Sequence, residues 1–482
     1  MKKSNLLRIL RTFSPGEIKE FSDYLNSPFF NKNKGIVKLY GYLKRLFPAF
    51  DEELTAKKNV WSVVFPDAEY NDGLLRIQMF NLANLALDYI QNKEASKDKL
   101  GSMNFLLRGL NTRGLYRQFE KSSKQIQKSF SGQQKHSEHY HYNRYLFELE
   151  KMSHLNKIFF DKHEKFLDGT GVNNIINNAE YFYIIVLLKS YLFLLYTKQL
   201  YETTIDTNEL DETINKLDIE KYNGSIVIMF LFHTIKLQTD PENRQNFHFL
   251  KEKLRANIDK LRIDEAIEVL INMENYCKKQ IRKGNGDFHR HLFDLYRFEL
   301  EKKTYKAEHN LSNRMYLGIC KTGLFLGNFD WVKNFIEDYK DELDPDTRED
   351  TCSFARAIYE FSAGNFNGSV ELLLNTGYKD VYNKFEVKSA LIKCYYELKM
   401  FDKMEAVMDS YRHLLTNDRF ISADRKAYYV NFIRASKGLI RLSTKFDQYI
   451  ADKLREKVTQ PDYVLEPSWF LKKIDELEKR PG

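Results

Sequence analysis

Five cations recur at helical spacing in the first third of the chain. They are Arg113, Arg117, Lys121, Lys124 and Lys128, at intervals of 4, 4, 3 and 4 residues. At about 100° per residue they occupy about 80° of arc on one helix. Leu115, Phe119, Ile126 and Phe130 fall on the opposite side. The pattern predicts a helix that packs through one face and carries a positive stripe about 22 Å long on the other. Such a stripe works by electrostatics, as a contact for nucleic acid, an acidic protein segment or an anionic lipid surface. The competing reading is an ordinary solvated lysine face.

Residues suited to other chemistry do not converge. Five of the 11 His lie between His136 and His163. On a helix His141 points roughly 140–160° away from His136 and His139, so the three cannot meet at one ion. His163-Glu164 begins like a zinc-protease helix, but Leu167 stands in place of the second histidine. His289 and His291 read as solvated. The acidic run Asp341–Asp350 lacks the glycine and spacing of a calcium loop. No Gly is followed by Lys, and neither GxGxxG nor GxSxG occurs. A helix-turn-helix reader over 55–91 fails because its second helix carries one cation, Arg76, among apolar residues. No metal, no cofactor and no catalytic residue is expected.

The elements that position these residues are helices. Only 9 Pro and 21 Gly punctuate 482 residues, too few for the frequent turns of a sandwich or barrel. Ser14-Pro15-Gly16-Glu17 is a capping box with Pro at the first helical position, and Asn33 and Asn71 open further helices. Residues 1–150 hold 24 basic against 16 acidic side chains, and the rest hold 51 of each, so the net charge of +8 lies in the first third. Cys277, Cys320, Cys352 and Cys394 form no CxxC pair and sit in apolar helical stretches, which points to a reducing cytoplasm. Arg8 and Arg11 interrupt any signal-peptide core. The apolar run 181–196 is shorter than the roughly 20 residues of a membrane span and has Lys189 at its centre, so no span is expected. This run and 226–232 are apolar almost all round, which predicts helices covered on every side. The expected division is an N-terminal helical domain over 1–95, a basic helical segment over 96–170 and a helical-repeat region over 171–482, with Gly169-Thr170-Gly171 as a hinge.

The C-terminal half repeats. Phe288, Phe329, Phe366 and Phe401 sit in the turns GDFH, GNFD, GNFN and KMFD, at intervals of 41, 37 and 35 residues, between a longer and a shorter helical stretch. Such periods of paired helices are the signature of an α-solenoid. Gly327 with Phe329, Gly364 with Phe366, the small Ala357 and Pro345 resemble the tetratricopeptide (TPR) superfamily over about 285–415. Cys320 and Ile392 depart from its small first-helix position, Val332 and Met404 from its second-helix alanine, and Lys399 from its turn glycine. The resemblance implies an all-α fold of helix hairpins stacked into a superhelix. Phe366 is expected to be the most costly turn aromatic to remove, by about 3–5 kcal/mol if fully buried. A last helix from Ser468 should cap the stack, with Trp469, Phe470, Ile474 and Leu477 inward and Lys472, Lys473, Glu476 and Lys479 outward. The opening FSPGEIKEFSDYLNSPFFNKNKG, with YNDGLLRIQMFNLANLALDYI after it, resembles the start of a group of bacterial helical proteins and implies no biochemistry.

These observations point to a non-catalytic helical-repeat scaffold that binds a protein or peptide partner. The alternative is a nucleic-acid or other polyanion-binding or regulatory protein using the stripe at 113–128. A third reading is an enzyme of unfamiliar type whose site is assembled from scattered residues.

Overall fold

The computed structural model of the chain describes residues 4–131, 137–162, 169–201, 206–308, 310–377, 381–418, 423–460 and 463–479. Among them there is no strand, only an isolated parallel bridge between Leu311 and Leu343, and the protein is all-α. The chain divides into two compact units, Met1–Tyr183 and Ile184–Gly482.

The first unit contains α1 (Asn5–Leu10), α2 (Pro15–Asn26), α3 (Lys34–Arg45), α4 (Lys57–Val64), α5 (Asp72–Lys97), α6 (Lys99–Thr112), α7 (Tyr116–Ser131) and α8 (Glu138–Lys162). The capping box forms as expected. The Glu17 amide donates to Ser14 Oγ at 3.2 Å, and the Ser14 amide donates to Glu17 Oε2 at 2.8 Å. That second bond, from the Ser14 backbone, holds the Glu17 carboxyl below its ordinary range. Phe21 centres one core, with edge contacts to Phe13 at 5.6 Å and Tyr40 at 4.9 Å. The Tyr40 hydroxyl, buried there, donates to the Ile18 carbonyl at 2.6 Å. A second core joins α6, α7 and α8 through Leu107, Phe119, Ile126, Phe130 and Phe147.

Helix α9 (Gly169–Tyr201) runs through Gly169, Thr170 and Gly171 and carries the boundary between the two units. Within it, Gly171–Lys198 is 28 residues long, and by length and composition this helix could cross a membrane. One face packs through Ile184, Ile185, Leu188, Tyr191 and Leu192. Lys189 Nζ lies 2.8 Å from buried Glu265. The helix is not covered on every side, however: Val186 and Phe193 are exposed, Phe193 to 67%. An all-apolar surface supplies more face than one set of neighbours occupies.

The second unit continues with α10 (Asn208–Asn215), α11 (Ile226–Thr239), α12 (Arg244–Asn257), α13 (Ile263–Arg282), α14 (Phe288–Lys302), α15 (Asn313–Phe325), α16 (Phe329–Asp338), α17 (Arg348–Ser362), α18 (Phe366–Leu374), α19 (Val381–Glu397), α20 (Phe401–Asn417), α21 (Ala423–Thr444), α22 (Gln448–Thr459) and α23 (Pro467–Glu478). From α11 to α20 the helices pair in sequence, and many pack on the next pair as well. Helix α11 meets the expectation set for it, with Val227 to Leu231, Ile235 and Leu237 all buried.

One backbone turn recurs between the paired helices. Gly284, Gly327, Gly364 and Lys399 each adopt positive φ, at 89°, 78°, 85° and 58°. The following amide bonds back five residues: Asn285 to Gln280, Asn328 to Gly323, Asn365 to Glu360 and Met400 to Tyr395, at 2.9–3.0 Å. These are Schellman closures, which satisfy carbonyls left open at the helix end. The phenylalanine of each repeat is the first residue of the second helix. Only Phe288 is buried, to 2%, while Phe329, Phe366 and Phe401 are half-buried, so Phe366 is not the critical anchor. In α15 a neighbouring helix packs closely at Gly323, where an added Cβ would lie 2.6 Å from Val332.

The C-terminal helix buries Trp469, Phe470, Ile474 and Leu477 as expected. Lys473, expected outside, is buried instead. Its ammonium donates to Glu397 at 2.8 Å and to Glu476 at 2.7 Å, which makes that burial tolerable.

Candidate functional site

The stripe is built on the α6–α7 hairpin. Helix α6 ends at Thr112, Gly114 adopts φ 67°, and the Leu115 amide bonds back to the Leu110 carbonyl at 3.0 Å. This is the same closure as in the second unit, and Tyr116 opens α7 as the phenylalanines open theirs. The sequence signal was Gly114-Leu115-Tyr116, glycine followed two residues later by an aromatic. Tyrosine stands here where the four later turns have phenylalanine.

This turn corrects the five-cation helix. Arg113 belongs to the end of α6, where its guanidinium donates to the Gly109 carbonyl at 2.9 Å. Leu115, also before α7, is exposed rather than packed. The continuous stripe is Arg117, Lys121, Lys124 and Lys128, spanning about 16 Å.

The packed face of α7 fixes its rotation. Phe119 stacks on His154 of α8 at 3.9 Å, Phe130 meets Phe147 at 5.4 Å, and the Arg144 guanidinium lies 5.0 Å from the Phe130 ring. Opposite, Arg117, Lys121, Lys124 and Lys128 are exposed and make no ion pair among the described residues. Some other cations of this unit are paired, as Lys93 is with Glu20 at 2.7 Å and Arg108 with Glu150 at 2.9 Å. Glu120 is the single acid on α7. Four like charges held on one rigid face repel one another mildly, and an anion bound there would relieve that repulsion.

The histidines separate. His139 lies 3.1 Å from Asp98, whereas His141 lies 3.0 Å from Asn178 and stacks on Tyr181 at 4.9 Å. His136 and His163 lie outside the described residues. No group of three or more His, Cys, Asp or Glu could hold a metal ion among the described residues. His289 and His291 are packed rather than solvated. His289 stacks on Phe325 at 3.7 Å, and His291 Nδ1 lies 2.8 Å from Lys251. Burial lowers both imidazole pKa values. The four cysteines are buried free thiols, and burial pushes their pKa values up.

The first helices of successive hairpins assemble a second feature. Lys321 of α15 pairs with Glu386 of α19 across the intervening α17, with its ammonium 5.8 Å from the Phe354 ring. Lys393 of α19 pairs with Glu466 and sits 4.9 Å over Phe361. Burial alone would lower the Lys321 pKa, but Glu386 and Glu466 outweigh it and raise it. Burial would likewise raise that of Glu466, but Lys393 and Lys321 bring it down. Both side chains are densely surrounded, yet Lys321 keeps 40% and Glu466 43% of their surface open to water. Lys321, Glu386, Lys393 and Glu466 thus form one partly wetted charged cluster. No sequence spacing marks this cluster, because its ion pairs join residues 65 and 73 positions apart.

Comparison with family models, curated proteins and solved structures finds no match for this chain.

Proposed function

We propose that the chain is a TPR-like helical-repeat scaffold, an α-solenoid of hairpins without catalytic function, that binds a protein partner on the concave wall of its second unit. The carrying observation is the recurrent turn at Gly284, Gly327, Gly364 and Lys399, each placing an aromatic at the start of the second helix. Identical closures impose similar hairpins, and similar hairpins stacked in order curve into one face. On this reading Lys321 and Glu466 offer accessible charge on that face, supported by half-buried Phe361 and the largely buried Lys393. The test is capture from native cells followed by reconstitution with the purified partner. One stoichiometric protein, bound at least tenfold more weakly by Lys321→Glu, supports the reading. A reconstituted complex indifferent to Lys393→Glu and Lys321→Glu refutes it.

A second reading is favoured by the unpaired cations of α7: contact with a polyanion. Four engaged phosphates give a slope of log affinity against log salt of about −3.6 for duplex and about −2.8 for single strands. Replacing Arg117, Lys121 and Lys124 by Gln should weaken binding and flatten the slope. Absence of nucleic-acid binding at low salt sinks it.

A further inference from the structure

Within the second unit, α12, α14 and α16, the second helices of three successive hairpins, border a cavity of about 440 Å³. Its lining includes Arg255, Arg297, Phe298, Glu301, Trp331 and Tyr339. The aromatic wall is rigid. Trp331 stacks on Phe335 at 5.4 Å with 8° between planes and meets Phe293 edge-on at 4.9 Å, and Tyr339 stacks on the same Phe335 at 5.0 Å. Phe298 forms a buried floor with the Arg255 guanidinium 5.4 Å from its centroid.

The polar groups of this cavity are unspent. Among the described residues Arg255 and Arg297 have no carboxylate partner, and neither the Trp331 indole N–H nor the Tyr339 hydroxyl makes a hydrogen bond. Arg297 and Glu301 stand four apart on α14 without pairing. Asp294, which also lines the cavity, is neutralised by Lys251 at 2.9 Å. Two guanidinium forks, an indole donor and a phenol therefore face one free carboxylate. Guanidinium forks match the planar geometry of a carboxylate bidentately, and a rigid aromatic wall takes an apolar side chain at small entropic cost. Glu301 would repel a phosphate dianion but accepts a backbone N–H.

We infer that this cavity binds an acidic peptide segment, with a Glu or Asp carboxylate on Arg255 and Arg297, an adjacent apolar side chain against Trp331 and Phe298, and a peptide N–H on Glu301. The site is separate from the concave wall and does not rest on the scaffold reading, so peptide binding would stand even if partner capture failed.

The test uses the full chain and a fluorescein-labelled hexapeptide, acetyl-Glu-Glu-Leu-Glu-Glu-Leu-amide, followed by anisotropy. The double substitution Arg255→Gln with Arg297→Gln should weaken binding at least tenfold while leaving the thermal midpoint unchanged, because both side chains are exposed. Trp331→Phe should weaken it severalfold by removing the indole donor. The triple α7 variant should bind as the parent does. The inference is overturned if the double variant binds normally, if only the α7 variant loses binding, or if millimolar inorganic phosphate displaces the peptide.

Discussion

Glu274 on α13 and Glu299 on α14 are both buried in the interior of their hairpin, close enough for the Glu274 charge to act on Glu299. Two buried carboxylates side by side repel each other, which favours a proton on one of them. Lys278 pairs with Glu274 at 2.5 Å, so the proton belongs on Glu299, whose pKa burial and then Glu274 raise well above the ordinary range. A folded-state pKa above the unfolded value means the folded chain holds a proton that the unfolded chain releases. The stabilisation is complete below the unfolded pKa and is lost as pH rises toward the folded value. Glu299→Gln should therefore raise the thermal midpoint at pH 8, by about 1–2 kcal/mol in stability, and change little at pH 4. Equal effects at both pH values would show that the proton is not there.

Lys399 occupies with φ 58° the turn position that glycine fills in the three preceding hairpins. A side chain in this region costs about 1–2 kcal/mol, partly offset by the greater freedom of unfolded glycine. Lys399→Gly should stabilise the protein by about 0.5–1 kcal/mol, and Gly364→Ala should destabilise it by about 1 kcal/mol. Urea denaturation measures both.

Phe288 is buried against Phe247 at 5.4 Å and Tyr276 at 5.6 Å, whereas half-buried Phe366 touches Phe361 at 5.4 Å. Phe288→Ala should cost about 3–5 kcal/mol and Phe366→Ala clearly less, about 1–2 kcal/mol. The reverse order would mean that burial in the folded state does not set the cost.

Glu397 accepts from Lys473 at 2.8 Å and from the Trp469 indole at 3.1 Å. Lys473→Met strands a largely enclosed carboxylate and should cost about 2–4 kcal/mol, while adding Glu397→Leu should recover most of it. Failure of the second change to rescue would show that the pair contributes through packing alone.

Helix ends were the most legible part of the chain. Ser14, Asn33 and Asn71 cap where their side chains dictate, and the four phenylalanine turns mark four helix starts, because these bonds join residues within about five positions. The packed face of α7 was legible for the same reason. Less was legible where a turn interrupts the period: the arc drawn through Arg113 assumed one helix, and Gly114 ends it.

What the amino-acid sequence determined alone is the all-α class, the hairpin punctuation and the cationic face from Arg117 to Lys128, all consequences of local backbone bonding and helical period. The tertiary structure decided the rest. Lys321 meets Glu386 across 65 positions, Lys473 meets Glu397 across 76, and Arg255 shares a cavity with Trp331. Such meetings depend on the angle at which one hairpin packs on another. That angle is set by the summed contacts of many side chains, and no spacing along the chain encodes it.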